Sequence, residues 1–150
     1  DSVFVYLDFQ SSVDFDVPRF IDFLFSTFEY ETGLIRRRPD GEKGYDDLRR
    51  AVEEIHAKDK RIIILMDEFE SITRNEKFDA SFFSFLRSLA NRYKVAYVTS
   101  SFAELQELCH TSKVADSPFF NIFPTVSEAA ITGPRSGRLC LSVGVGTAII

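Results

Sequence analysis

Three places in this sequence put polar, potentially reactive side chains directly after an apolar run. Asp8 follows Val3-Phe4-Val5-Tyr6-Leu7, the pair Asp67-Glu68 follows Ile62-Ile63-Ile64-Leu65-Met66, and Thr99-Ser100 follows Val95-Ala96-Tyr97-Val98. Apolar runs of this kind, rich in β-formers, read as strands buried on both faces, as in a parallel sheet. Ligands of such sheets gather beyond the carboxyl ends of the strands, where all three groups fall. Asp67-Glu68 is the strongest of them. A strand would hold Asp67 rigidly enough to bind magnesium, usually through water, and the metal would spread the charge of a γ-phosphate. Glu68 could orient or deprotonate the attacking water. Thr99 or Ser100 could hydrogen-bond the γ-phosphate or that water. Each group also has a plainer reading. Asp67-Glu68 can be a strand-to-loop transition, Thr99-Ser100 a helix cap, and Asp8 a solvated turn residue instead of a third metal-facing carboxylate.

The elements that would position these groups are legible in the spacing. Pro18 opens a helix with Asp16 near its cap, Phe20, Ile21, Leu24 and Phe28 on one face, and Gly33 at its end. Residues 36–44 are charged and contain Pro39, Gly41 and Gly44, so they form a loop; Arg36, Arg37 and Arg38 are its solvated basic run. Leu48, Ala51, Val52 and Ile55 mark a second helix, with Asp46 and Asp47 at its start and Lys58 and Lys60 at its end, a charge order that complements the helix dipole. A third helix begins near Asp79 and presents Phe82, Phe83, Leu86, Leu89, Ala90 and Tyr93. Ser101 and Glu104 have capping-box spacing ahead of a fourth, with Phe102, Leu105 and Leu108. Strands alternating with helices predict a parallel sheet with right-handed crossovers. Residues 118–124 form an aromatic loop. From Glu128 the chain turns rich in Gly, Ser and small residues, and 139–145 could add another strand.

Composition narrows the classes. The chain has 150 residues, 45% of them hydrophobic, which suits one domain with a real core. Sixteen Phe and no Trp make that core phenylalanine-rich. A formal net charge of −5 disfavours non-specific nucleic-acid binding, which needs a basic surface. Two Cys and two His without metal-ligand spacing predict a reduced, cytoplasmic protein, with no zinc site. No signal peptide and no membrane-length apolar run is visible.

The stretch 3–123 resembles the AAA-like ATPase domain of STAND proteins, signal-transducing P-loop NTPases related to the AAA+ class. Phe4-Val5-Tyr6-Leu7-Asp8-Phe9 resembles the strand after the phosphate-loop helix. Ile62-Ile63-Ile64-Leu65-Met66-Asp67-Glu68-Phe69-Glu70 resembles Walker B. Val95-Ala96-Tyr97-Val98-Thr99-Ser100-Ser101 resembles the sensor-1 strand, and Ser117-Pro118-Phe119-Phe120-Asn121-Ile122-Phe123 the segment that follows it. There are departures. The family's GxxxxGK[ST] loop is expected ahead of residue 1 and does not occur in these residues; Gly133-Pro134-Arg135-Ser136-Gly137-Arg138-Leu139 is similar only by coincidence. The arginine that many such proteins place after the sensor strand is replaced by Ser100-Ser101-Phe102.

The resemblance implies a three-layer P-loop-NTPase-like α/β core, here incomplete, with a short parallel sheet flanked by helices and the Arg61 strand in the middle. Residues 1–126 would form the partial ATPase core and 127–150 an atypical tail. The implied function is an ATP-binding switch in signalling, with Mg2+ and ATP as cofactors, Asp67 serving the metal, Glu68 the water, and Thr99 or Ser100 the γ-phosphate. Without the phosphate loop the chain alone would be inactive. Protein partners or self-association, and no membrane, are expected. Two rivals stand beside this reading. One is a non-catalytic interaction module docking through Phe119, Phe120 and Phe123. The other is a magnesium-dependent phosphoesterase or nuclease built on Asp8, Asp67 and Glu68.

Overall fold

The computed structural model describes residues 1–9, 15–33 and 44–123, and the backbone of 140–145. Its sheet has four strands: β1 (Ser2–Asp8), β2 (Arg61–Asp67), β3 (Val95–Ser101) and β4 (Cys140–Val145), side by side in that order. The first three are parallel, with Val5 beside Ile64 and Ile64 beside Tyr97, so the Arg61 strand lies between the other two as expected. β4 pairs antiparallel with β3, Val98 opposite Val143. The architecture is α/β, a three-strand parallel sheet flanked by helices.

The helices start and stop where side chains satisfy their ends. In α1 (Val17–Thr32) the Asp16 carboxylate accepts from Arg19 N at 3.0 Å. Gly33 closes it in the left-handed region at φ 61°, a conformation that costs glycine little. Gly44 N donates to Asp47 Oδ2 at 3.1 Å ahead of α2 (Tyr45–Ala57). Asp79 caps α4 (Ala80–Arg92) by accepting from Phe82 N at 3.0 Å. The short α3 (Glu70–Thr73) and α5 (Ser112–Ala115) and the 3-10 turns Leu105–Leu108 and Pro118–Ile122 complete the described elements. None of these helices is long and apolar enough to cross a membrane. The basic run Arg36, Arg37 and Arg38 lies outside the described residues.

The expected fourth helix is not formed. Ser101 is the last residue of β3, and its hydroxyl donates to Ala103 O at 2.7 Å instead of capping a helix. Leu105 and Leu108, three apart, are buried by a single 3-10 turn, in which residues at that spacing align. Phe102 does not share their face. It is 46% exposed and lies under the Arg74 guanidinium, 4.9 Å from ring centroid to Cζ.

Burial alternates along β1, which corrects the expectation of strands covered on both faces. Val3, Val5 and Leu7 join Ile62, Ile64, Met66, Val95 and Tyr97 against the helices in one core. The opposite face carries Phe4 and Tyr6, 56% and 58% exposed, beside the half-buried Ile63, Leu65, Ala96 and Val98. A run that is apolar on both faces does not say which face a helix covers. The core is phenylalanine-dense. Phe69, Phe83, Phe119 and Tyr97 are fully buried and meet edge-on or tilted, with centroids 5.5–6.3 Å apart, a geometry aromatic quadrupoles favour. Each such ring removed from water contributes roughly 1.5–3 kcal/mol.

Candidate functional site

The site builds on the tip of β2. Asp67 is its last residue, and its side chain falls on the open face of the sheet, as do Tyr6 and Ser100. Tyr6 Oη donates to Asp67 Oδ2 at 3.0 Å from one side, and Ser100 Oγ donates to Oδ1 from the other. The single Glu68 N–H is shared between Asp67 Oδ1 at 3.1 Å and Ser100 Oγ at 3.2 Å. The Ser100 hydroxyl, with the Tyr6 phenol and the Glu68 amide behind it, holds the Asp67 carboxyl below the usual carboxylate range, against a smaller opposing push from burial. Asp67 is therefore ionised at neutral pH. The same contact, with the charges of Asp67, Asp8 and Glu68, raises the Tyr6 phenol.

Glu68 ends the strand by leaving it. Its φ of 52° lies in the left-handed region, uncommon for a side chain of this size. The turn it makes lets Phe69 N donate to Ser100 O at 3.0 Å and sends the Phe69 ring into the core. Glu70, one residue on, has its carboxyl raised, first by burial and then by the nearby Glu68 and Asp67 charges. Its Oε2 is buried without a hydrogen-bond partner among the described residues.

The structure brings together Asp67, Glu68 and Ser100 among the residues expected from the sequence. It does not bring Thr99, which is fully buried on the helix-covered face with Tyr97. Alternation along β3 explains the difference: neighbouring residues point to opposite faces. Asp8 stands beside Asp67 in register. Yet among the described residues no three His, Cys, Asp or Glu side chains are placed to hold a metal, so the Asp8–Asp67–Glu68 cluster of the phosphoesterase reading is not assembled. A magnesium ion held through water needs less, and Asp67, ionised and fixed at a strand tip, fits that role.

Tyr6 is the member that the sequence reading missed, because it counted only as an apolar strand residue. The signal was available: Asp8 ends the same strand two residues later, so Tyr6 shares its face. The aromatic docking surface is also corrected. Phe119 and Phe120 are buried, and Phe123 packs against the core. Their spacing suits a 3-10 turn folded onto α4 and β3, and each ring meets Phe119 or Phe83. Cys109 and His110 each contact a backbone carbonyl, Cys109 Sγ that of Leu105. Burial pushes the Cys109 thiol up to about 11, and His110 Nε2 lies 2.9 Å from Phe78 O.

No curated protein and no solved structure matches the chain. The family described as novel STAND NTPase 2 does, across residues 2–145, a span that includes every strand of the sheet. With its acidic strand tip at the carboxyl end of a parallel sheet, the chain belongs to that STAND NTPase family.

Proposed function

We propose that this chain is part of an ATP-binding switch domain, with Asp67 and Glu68 as its Walker B pair. The observation that carries the reading is the ionised Asp67 carboxylate at the tip of β2, fixed by the Ser100 hydroxyl from the tip of β3. Asp67 would hold magnesium through water, and the metal when bound would neutralise charge on the phosphates. Ser100 orients Asp67 by giving its one hydroxyl proton to Oδ1; it would donate to a γ-phosphate only by releasing Asp67. Glu68, carried out of the strand direction by its left-handed backbone, would polarise the attacking water. Thr99 is buried on the other face of the sheet, so the hydroxyl proposed for the site is that of Ser100.

The test is a pair of variants in the whole protein that carries this domain, read by nucleotide retention and phosphate release. Glu68→Gln keeps size and hydrogen bonding but cannot accept a proton. Binding should survive while hydrolysis falls by roughly a hundredfold or more. Asp67→Asn should weaken magnesium-dependent binding. Parental hydrolysis by Glu68→Gln would show that Glu68 is not the base. Failure of both parent and variants to retain nucleotide would reject the switch reading.

A further inference from the structure

Among the described residues β1 is the outermost strand of the sheet, with β2 on its one paired side. In a parallel pair the N–H and C=O of one residue address the same neighbour. Arg61 N donates to Asp1 O at 3.1 Å, and Phe9 N donates to Asp67 O at 3.4 Å. Odd-numbered residues of β1 therefore bond β2, and Ser2, Phe4, Tyr6 and Asp8 turn their backbone groups outward. Natural edges are blunted by Lys, Pro, a bulge or brevity. β1 has no Lys or Pro, and its register with β2 runs without interruption through seven residues. The side chains of the outward residues include Phe4 and Tyr6, the large exposed aromatics of the open face.

We propose that β1 is a self-association edge, pairing antiparallel with β1 of a second copy about a two-fold axis through Val5. The strand is near-palindromic by residue class: Val3-Phe4-Val5-Tyr6-Leu7 reads alike in both directions. With Val5 opposite its own mate, Phe4 of each copy faces Tyr6 of the other, and Ser2 faces Asp8. All four of these residues have outward backbone groups, so each such pair exchanges two hydrogen bonds. Two aromatic cross-strand pairs form on the open face, and each Ser2 hydroxyl meets an Asp8 carboxylate. A slip of one residue sets outward groups against inward ones. A slip of two shortens the ladder and places Phe4 or Tyr6 against its own mate. The occupant is thus a second copy, because the edge complements itself in one register. A seven-residue ladder is a small interface, so the dimer is weak, with a dissociation constant on the order of 10 μM or above. The edge shares Tyr6 with the Asp67 site, since the Tyr6 hydroxyl donates to Asp67, but the pairing uses the backbone and ring of Tyr6 and does not depend on the nucleotide reading.

The experiment is sedimentation equilibrium of the chain from micromolar to millimolar concentration, with amide hydrogen exchange at both ends of that range. A concentration-dependent dimer is expected. Where dimer is populated, the Phe4 and Tyr6 amides should slow roughly tenfold or more, while those of Val5 and Leu7 are slow throughout. Phe4→Glu alone and Tyr6→Lys alone should each give monomer. Their equimolar mixture should dimerise, because the register sets the new carboxylate opposite the new ammonium. The proposal is overturned by a chain that stays monomeric, by a dimer in which the Phe4 and Tyr6 amides gain no protection, or by folded variants that do not associate when mixed. If either variant fails to fold, the exchange pattern of the unsubstituted chain decides.

Discussion

Tyr6 Oη lies 3.0 Å from Asp67 Oδ2, so a residue of the edge strand helps fix the charge of the middle one. The Asp67 carboxyl is held down chiefly by Ser100, then by Tyr6 and the Glu68 amide. A depressed folded-state pKa contributes stability above the unfolded value, near 4, and that contribution is lost as pH falls through the folded value. In an NMR titration Asp67 should titrate below the usual aspartate range. Ser100→Ala should raise its midpoint more than Tyr6→Phe does. An unshifted midpoint in Ser100→Ala would mean that the Ser100 contact does not form in solution.

Glu68 occupies a backbone region that costs a non-glycine residue about 1–2 kcal/mol. Glu68→Gly removes that cost and adds part of it back through the freer unfolded chain. The net expectation is a stability equal to the parent or up to about 1 kcal/mol higher. Glu68→Val, β-branched, should lose about 1–2 kcal/mol. Urea denaturation of both variants checks the pair, and a clearly less stable Glu68→Gly would show that the carboxylate itself holds the fold.

Phe119 is fully buried, against Phe69, Phe83, Tyr97, Phe120 and Phe123. Phe119→Ala should cost about 3–5 kcal/mol, much of the stability of a domain this size. A docking aromatic would be removed at almost no cost. Chemical denaturation separates the two, since a midpoint like the parent's would return Phe119 to the surface.

Magnesium-ATP should bind these 150 residues weakly at best. The sequence contains no GxxxxGK[ST] segment, whose amides and lysine supply most of the grip on phosphates. The Asp67 and Glu68 carboxylates repel a triphosphate unless metal bridges them. Titration calorimetry is the check, and a low-micromolar dissociation constant would show a phosphate grip of another kind.

Periodicity carried most of the fold. The three parallel strands, the Asp16 and Asp79 caps and the Gly33 terminus follow from local rules, because each depends on neighbours within a turn. What failed depends on neighbours far along the chain. Ser101 with Glu104 satisfies the capping-box pattern, yet β3 extends through Ser101 to keep its pairing. The run at Phe4 and Tyr6 is as apolar as a two-sided strand, and only helix placement leaves one face open. At the site, Asp67 and Ser100 were legible because both end apolar strands. Choosing Ser100 over Thr99 required the phase of β3 relative to the covered face. Tyr6 stayed hidden because its partner lies 61 positions away.

Glu68 and Phe69 share one peptide bond, and the two residues live in different environments. The first sits at the open strand tip in a left-handed backbone; the second is wedged among Phe9, Phe83 and Phe119. Their common plane ties the site to the interior. If Glu68 relaxed toward an ordinary backbone angle, the plane would rotate and Phe69 would have to shift against rings packed at close to crystalline density. Movement at the tip would therefore require repacking under α4 and the 118–122 turn, on the far side of the sheet.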